Sequence, residues 1–149
     1  MRFNFIALFF MFFSLQVLAG TWGVGSFEND SASDWVYELE QKKGSGKLLD
    51  TIRAVFTPQY IEVDTCSSAI AAAEVVASIK SGNYEPLPES LKKWALENKD
   101  VYEPEMSKFT LQALQICKNT KKSELAQLWS ESGAEEWLSS IGTLEAKLK

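Results

Sequence analysis

Histidine is absent from this chain, and its absence removes a large part of enzyme chemistry. Without imidazole there is no Ser-His-Asp or Cys-His machinery, no histidine general base and almost no route to a catalytic zinc site. Cysteine occurs only at Cys66 and Cys117, with no Cys-x-x-Cys spacing to suggest thiol redox catalysis. There is no P-loop lysine motif. Gly23-Val24-Gly25 is a fragment of a glycine-rich loop with no strand ahead of it, too incomplete to read as a phosphate cradle. Basic clusters are missing as well, since Lys42-Lys43 and Lys121-Lys122 are isolated pairs that read as solvated charge. No stretch alternates apolar and polar residues for long. Tyr60-Ile61-Glu62-Val63 is the only strand-like piece and is too short to found a sheet.

What is present is the composition of one folded domain. Apolar residues make up 46% and charged residues 23% of 149 positions, which separates the chain from disordered sequences and allows a single core. The first nineteen residues read differently. Arg2 gives a small positive start, Phe5 to Leu15 is nearly unbroken hydrocarbon and aromatic, and Val17 and Ala19 stand at minus three and minus one of a small-residue site. This layout predicts a secretory signal peptide over 1–19, cleaved between Ala19 and Gly20, and a periplasmic or secreted protein. The apolar run is short for a spanning helix, and no cysteine follows the cleavage point to carry a lipid. Removal of residues 1–19 takes away Arg2 and leaves fourteen basic against twenty acidic residues, a net charge of −6. Such a domain repels nucleic acid and anionic membrane surfaces, so neither is an expected partner.

Residues 20–149 predict an all-α fold, a compact bundle of six or seven short helices behind an irregular Gly/Trp-rich segment. Asp30 or Ser31 can cap a first helix to about Lys43 that carries Trp35, Val36 and Leu39. Gly44-Ser45-Gly46 breaks it, and a second helix spans about Lys47 to Phe56 ahead of Pro58. Asp64 or Thr65 can cap a third, ending at Gly82. From Ala69 to Ala77 that helix is apolar on every face except at Glu74, the pattern of a buried central rod. Further helices are expected around Glu89–Asn98, from Pro104 to about Lys118 with Met106, Phe109, Ala113, Ile116 and Cys117 in register, and from Ser123 to Gly133. The last carries a stripe of Ala134, Trp137, Leu138, Ile141, Leu144 and Leu148.

Three sets of residues are candidates for special roles. Cys66 falls in the first turn of the third helix and Cys117 in the last turn of the Pro104 helix. Behind an export signal the pair suggests a disulfide if those helices are antiparallel; two free buried thiols are the alternative. Glu74 is a charge placed where burial is costly without a partner. It reads as the acceptor for backbone N–H groups of the Gly20–Asn29 segment or for the indole N–H of Trp22. The functional alternative is an acidic pocket of Asp30, Asp34 and Glu74 that holds a cation or does carboxylate acid–base chemistry. Trp22, Trp35, Trp94, Trp129 and Trp137, at helical spacing, read as core, with an exposed aromatic surface for a partner as the other reading.

Gly20-Thr21-Trp22-Gly23-Val24-Gly25-Ser26-Phe27-Glu28-Asn29-Asp30 with Asp34-Trp35 resembles the opening of a bacterial family known only as domain of unknown function 4259. The blocks Ala71–Ala77 with Leu87-Pro88 and Trp94, and Ser123–Trp129 with Trp137, fit as well, so the resemblance spans essentially all of 20–149. It implies a small helical domain and no established activity. Relatives usually begin at the Met-Gly ahead of the tryptophan, whereas here a signal peptide precedes Gly20, whose new α-amino group then becomes a candidate partner for Glu74 or Asp30. Trp22, Gly23, Gly25, Asn29, Asp30, Asp34 and Glu74 are the candidate site residues, and neither a metal nor a cofactor is implied. The expected role is non-enzymatic binding of another protein through the acidic surface, as an inhibitor or immunity-type factor. A carboxylate-based hydrolase or cation binder and a small-ligand carrier with an aromatic pocket are the alternatives.

Overall fold

The computed structural model describes residues 23–149; the expected signal peptide, Gly20 and Trp22 lie outside this range. Seven α-helices occur among the described residues: α1 Asp30–Glu40, α2 Gly46–Arg53, α3 Val63–Ser81, α4 Glu89–Glu97, α5 Pro104–Cys117, α6 Glu124–Ser132 and α7 Glu135–Leu148. The fold is an all-α bundle. Short 3₁₀ turns at Ala54–Phe56 and Lys99–Val101 continue α2 and α4.

The bundle is organised around α3. Every residue from Ala69 to Ile79 is buried, because α1, α2, α5 and α7 pack around its small alanines and valines. A rod covered on all sides needs no polar face, which is why its sequence shows none. It ends at Gly82, where φ of +69° places the backbone in the left-handed region that favours glycine.

The helix starts differ in detail from those read off the sequence. Asn29, not Asp30 or Ser31, caps α1: its Oδ1 accepts the Ala32 N–H at 2.8 Å. Neither Asp64 nor Thr65 caps α3, which begins two or three residues earlier, at Val63, with Glu62 in the cap position. The Val63 N–H instead donates to the Glu124 carboxylate of α6 at 3.2 Å. The strand-like Tyr60–Val63 piece is reduced to one parallel bridge between Ile61 and Ser123, in which the Ile61 N–H donates to the Lys122 carbonyl and the Glu124 N–H to the Ile61 carbonyl. That bridge sets the start of α6 beside the start of α3.

Tryptophans fasten the outer helices. Trp35 is buried and its indole N–H donates to Thr51 Oγ1 of α2 at 2.7 Å. Trp94, also buried, donates to the Lys42 carbonyl at 2.8 Å and holds α4 against the end of α1. Trp129 and Trp137 stack with centroids 5.9 Å apart and planes within 9°. Two residues expected on inward stripes, Phe109 and Leu138, are exposed.

Candidate functional site

Glu74 lies at the middle of α3 and is only 7% exposed. Its Oε1 accepts from Lys147 Nζ of α7 at 2.7 Å, and its Oε2 accepts from Ser26 Oγ at 3.1 Å. The carboxylate therefore joins the central rod to both the last helix and the segment before α1. Among the described residues its hydrogen bonds run to side chains and not to backbone N–H groups. Trp22 and the α-amino group of Gly20, named as other partners, fall outside those residues. Lys147 offsets the cost of burying the charge. A second buried acid, Glu145, follows the same rule on α7: Lys118 Nζ lies 2.6 Å from its Oε1 and Gln115 Nε2 donates to that oxygen at 2.8 Å.

Gly23 and Gly25 act locally. The Gly25 N–H donates to Glu28 Oε2 at 2.8 Å, so the carboxylate curls back into the loop. A methyl group on Gly23 would lie 2.2 Å from that oxygen, and one on Gly25 2.8 Å away. Glycine at both positions leaves room for the Glu28 head group, which a larger residue would push outward. Facing this loop, Trp129 and Trp137 help to bound a space of only about 20 Å³, room for roughly one water.

The three carboxylates expected to share a pocket are divided. Glu74 is committed to Lys147 and Ser26. Asp30 and Asp34 are both exposed on α1, and only Asp34 lines the groove that opens between α1, α2 and the start of α3. That groove has a volume of about 410 Å³ and is bordered by four carboxylates, Asp34, Glu38, Asp50 and Asp64, against one ammonium, Lys47. Lys47 Nζ is hydrogen-bonded to Glu38, and this bond, with the attraction of the same cation, holds the Glu38 carboxyl below the usual carboxylate range. Ser31 Oγ donates to Asp64 Oδ1 at 2.6 Å, closing α1 onto α3. Among the described residues Asp34 and Asp50 have no salt bridge to a groove cation; Asp50 pairs with Arg53 of its own helix. Among the described residues, no group of three or more Cys, Asp or Glu is arranged to hold a metal ion, and no helix is long and apolar enough to cross a membrane.

Beneath the groove's α3 wall, Cys66 and Cys117 are joined as a disulfide, with Cα atoms 5.5 Å apart. Both are fully buried. Helices α3 and α5 meet with the start of one at the end of the other, as the pairing requires.

Residues 20–140 match the family described as Domain of unknown function (DUF4259). The chain belongs to this family. The matched span carries the glycine loop, Glu74, both cysteines and the whole groove, while Glu145 and Lys147 lie past its end. No curated protein and no solved structure matches the chain.

Sequence reasoning missed Glu38, Asp50 and Asp64 as groove residues, Glu145 as a buried ion-paired acid and Lys147 as the exposed cation that reaches Glu74. The i, i+4 spacing of Asp34 and Glu38 was the one local signal available, since it places both on one helix face.

Proposed function

We propose that this protein is exported behind residues 1–19 and works without catalysis, by binding a positively charged segment of another protein in the groove between α1, α2 and α3. The observation that carries this reading is the charge of the groove, four carboxylates against one ammonium that Glu38 already engages. A cationic segment laid there gains attraction from Asp34 and Asp50 without displacing any bond that the fold depends on. Electrostatic complementarity of this kind gives fast, salt-sensitive association and rejects partners of like charge. An inhibitor or immunity-type factor is the functional class that fits such a mode of action.

The test is a fluorescence-anisotropy titration of the purified protein with a lysine-rich and a glutamate-rich peptide of equal length. Saturable binding of the lysine-rich peptide, weakening as salt is raised, is the expected outcome. Joint replacement Asp34→Lys and Asp50→Lys should lower that affinity by at least about tenfold. Equal behaviour of the two peptides toward the native protein would reject the reading.

A further inference from the structure

The wall of the groove contributed by α3 is the outer face of its first two turns. Cys66 and Ser67 are buried on the inner face and every residue from Ala69 to Ile79 is enclosed, but Asp64, Thr65 and Ser68 face the groove and are exposed or half-buried. Among the described residues the polar ties at this end are the Glu124 carboxylate on the Val63 N–H, Ser31 on Asp64, and the Ile61–Ser123 bridge. The one covalent tie is the disulfide from Cys66, within the same turn as Asp64 and Thr65, to the final residue of α5. Ser123, which caps α6, places its hydroxyl 3.5 Å from Cys66 Sγ. The starts of α3 and α6 and the end of α5 thus converge on one sulfur–sulfur bond.

We infer that the Cys66–Cys117 disulfide is a redox-sensitive clasp that holds the α3 wall of the groove in its binding position. The inference rests on the groove reading above. A dithiol reductant supplies two electrons and two protons, the S–S bond opens into two thiols, and the dithiol closes to its own disulfide. Both sulfurs are buried, so exchange waits on local opening of the first turns of α3. Once reduced, two thiols sit comfortably in an apolar setting. The middle of α3 stays packed while its first turns fray, and Asp64 leaves the groove wall and its bond to Ser31.

Two readouts on the oxidised protein, the dithiol-treated protein and the Cys66→Ser, Cys117→Ser variant test this. On reduction, hydrogen exchange of the amides of residues 66–70 should speed up at least about tenfold through a local opening insensitive to dilute urea, whereas residues 73–79 should exchange only through global unfolding, with the urea dependence of that unfolding. Binding of the lysine-rich peptide should weaken by about tenfold in the reduced protein and in the serine variant, with far-ultraviolet helicity retained. Unchanged exchange at 66–70, or equal binding in both redox states, overturns the clasp while leaving the groove reading intact. Global unfolding on reduction also overturns it, because the bond would then be a staple of the whole fold. Absence of peptide binding to the oxidised protein defeats the groove reading instead, and the exchange experiment still decides whether the clasp exists.

Discussion

Two sets of carboxylates in this protein are treated in opposite ways. Glu74 and Glu145 are each 7% exposed, and each has a lysine within 2.7 Å. Asp34, Glu38, Asp50 and Asp64 stand in the open around one lysine, Lys47, which pairs with Glu38 alone. Glu74 and Glu145 are each given a counter-charge, which offsets the several kcal/mol that an unpaired buried ion costs. Where acids face water they can remain in excess at little cost, and that excess attracts cations. The buried acids are thus satisfied within the fold, and the exposed ones are those that the proposed binding would use.

The largest effect is expected at the crosslink. Replacing both cysteines by alanine removes a bond between residues 51 apart in sequence, and chain-entropy reasoning puts the loss at about 4 kcal/mol. Urea unfolding should show this loss with a folded native baseline. A loss below about 1 kcal/mol would mean that packing alone fixes the junction of α3 and α5.

Next comes the Glu74–Lys147 pair. Lys147→Met leaves the Glu74 charge without its cation and should cost about 1 to 2 kcal/mol, below the range for fully buried pairs because Lys147 itself is exposed. Adding Glu74→Met to Lys147→Met should recover most of that loss, since an apolar pair replaces an ionic one. If the double variant is no more stable than the single, the carboxylate is not an unpaired charge in Lys147→Met.

The groove should respond the other way. Asp34→Lys with Asp50→Lys should change stability by no more than about 0.5 kcal/mol, as exposed substitutions do, while binding falls. The smallest effect is electrostatic and local: Lys47→Met should move the Glu38 titration, followed by carboxyl NMR shifts, upward toward its ordinary value of 4.5. A lowered carboxyl pKa adds stability at neutral pH, and that contribution disappears as the pH falls through the folded-state titration. The Lys47→Met variant should therefore lose less stability than the parent on acidification. An unmoved titration would break the link between Lys47 and Glu38.

How much of this was visible in the sequence depends on distance along the chain. The central position of α3 was legible because a helix apolar on all faces has nowhere else to go. The burial of Glu74 was legible for the same reason, as the lone charge between Ala69 and Ala77. Its cation was not, since Lys147 is 73 residues away and looks like any lysine near a helix end. The cap of α1 was displaced by one or two residues to Asn29, a competition among adjacent Asn, Asp and Ser that propensity does not resolve. The cap of α3 comes from Glu124 on another helix, so no local pattern announces it. Phe109 and Leu138 fit the helical period yet sit at the edge of their stripes and reach solvent. The acidic groove draws on three helices and becomes a site only when α1, α2 and α3 are brought together.

The contrast between the two carboxylate sets is tested most directly by titrating the lysine-rich peptide against Glu74→Gln beside Asp34→Asn, Asp50→Asn, with the melting temperature of each recorded in the same buffer. Glu74→Gln should melt lower and bind like the parent, whereas the groove variant should melt like the parent and bind at least about tenfold more weakly. Loss of binding in Glu74→Gln at an unchanged melting temperature, with the groove variant unaffected, would contradict the account.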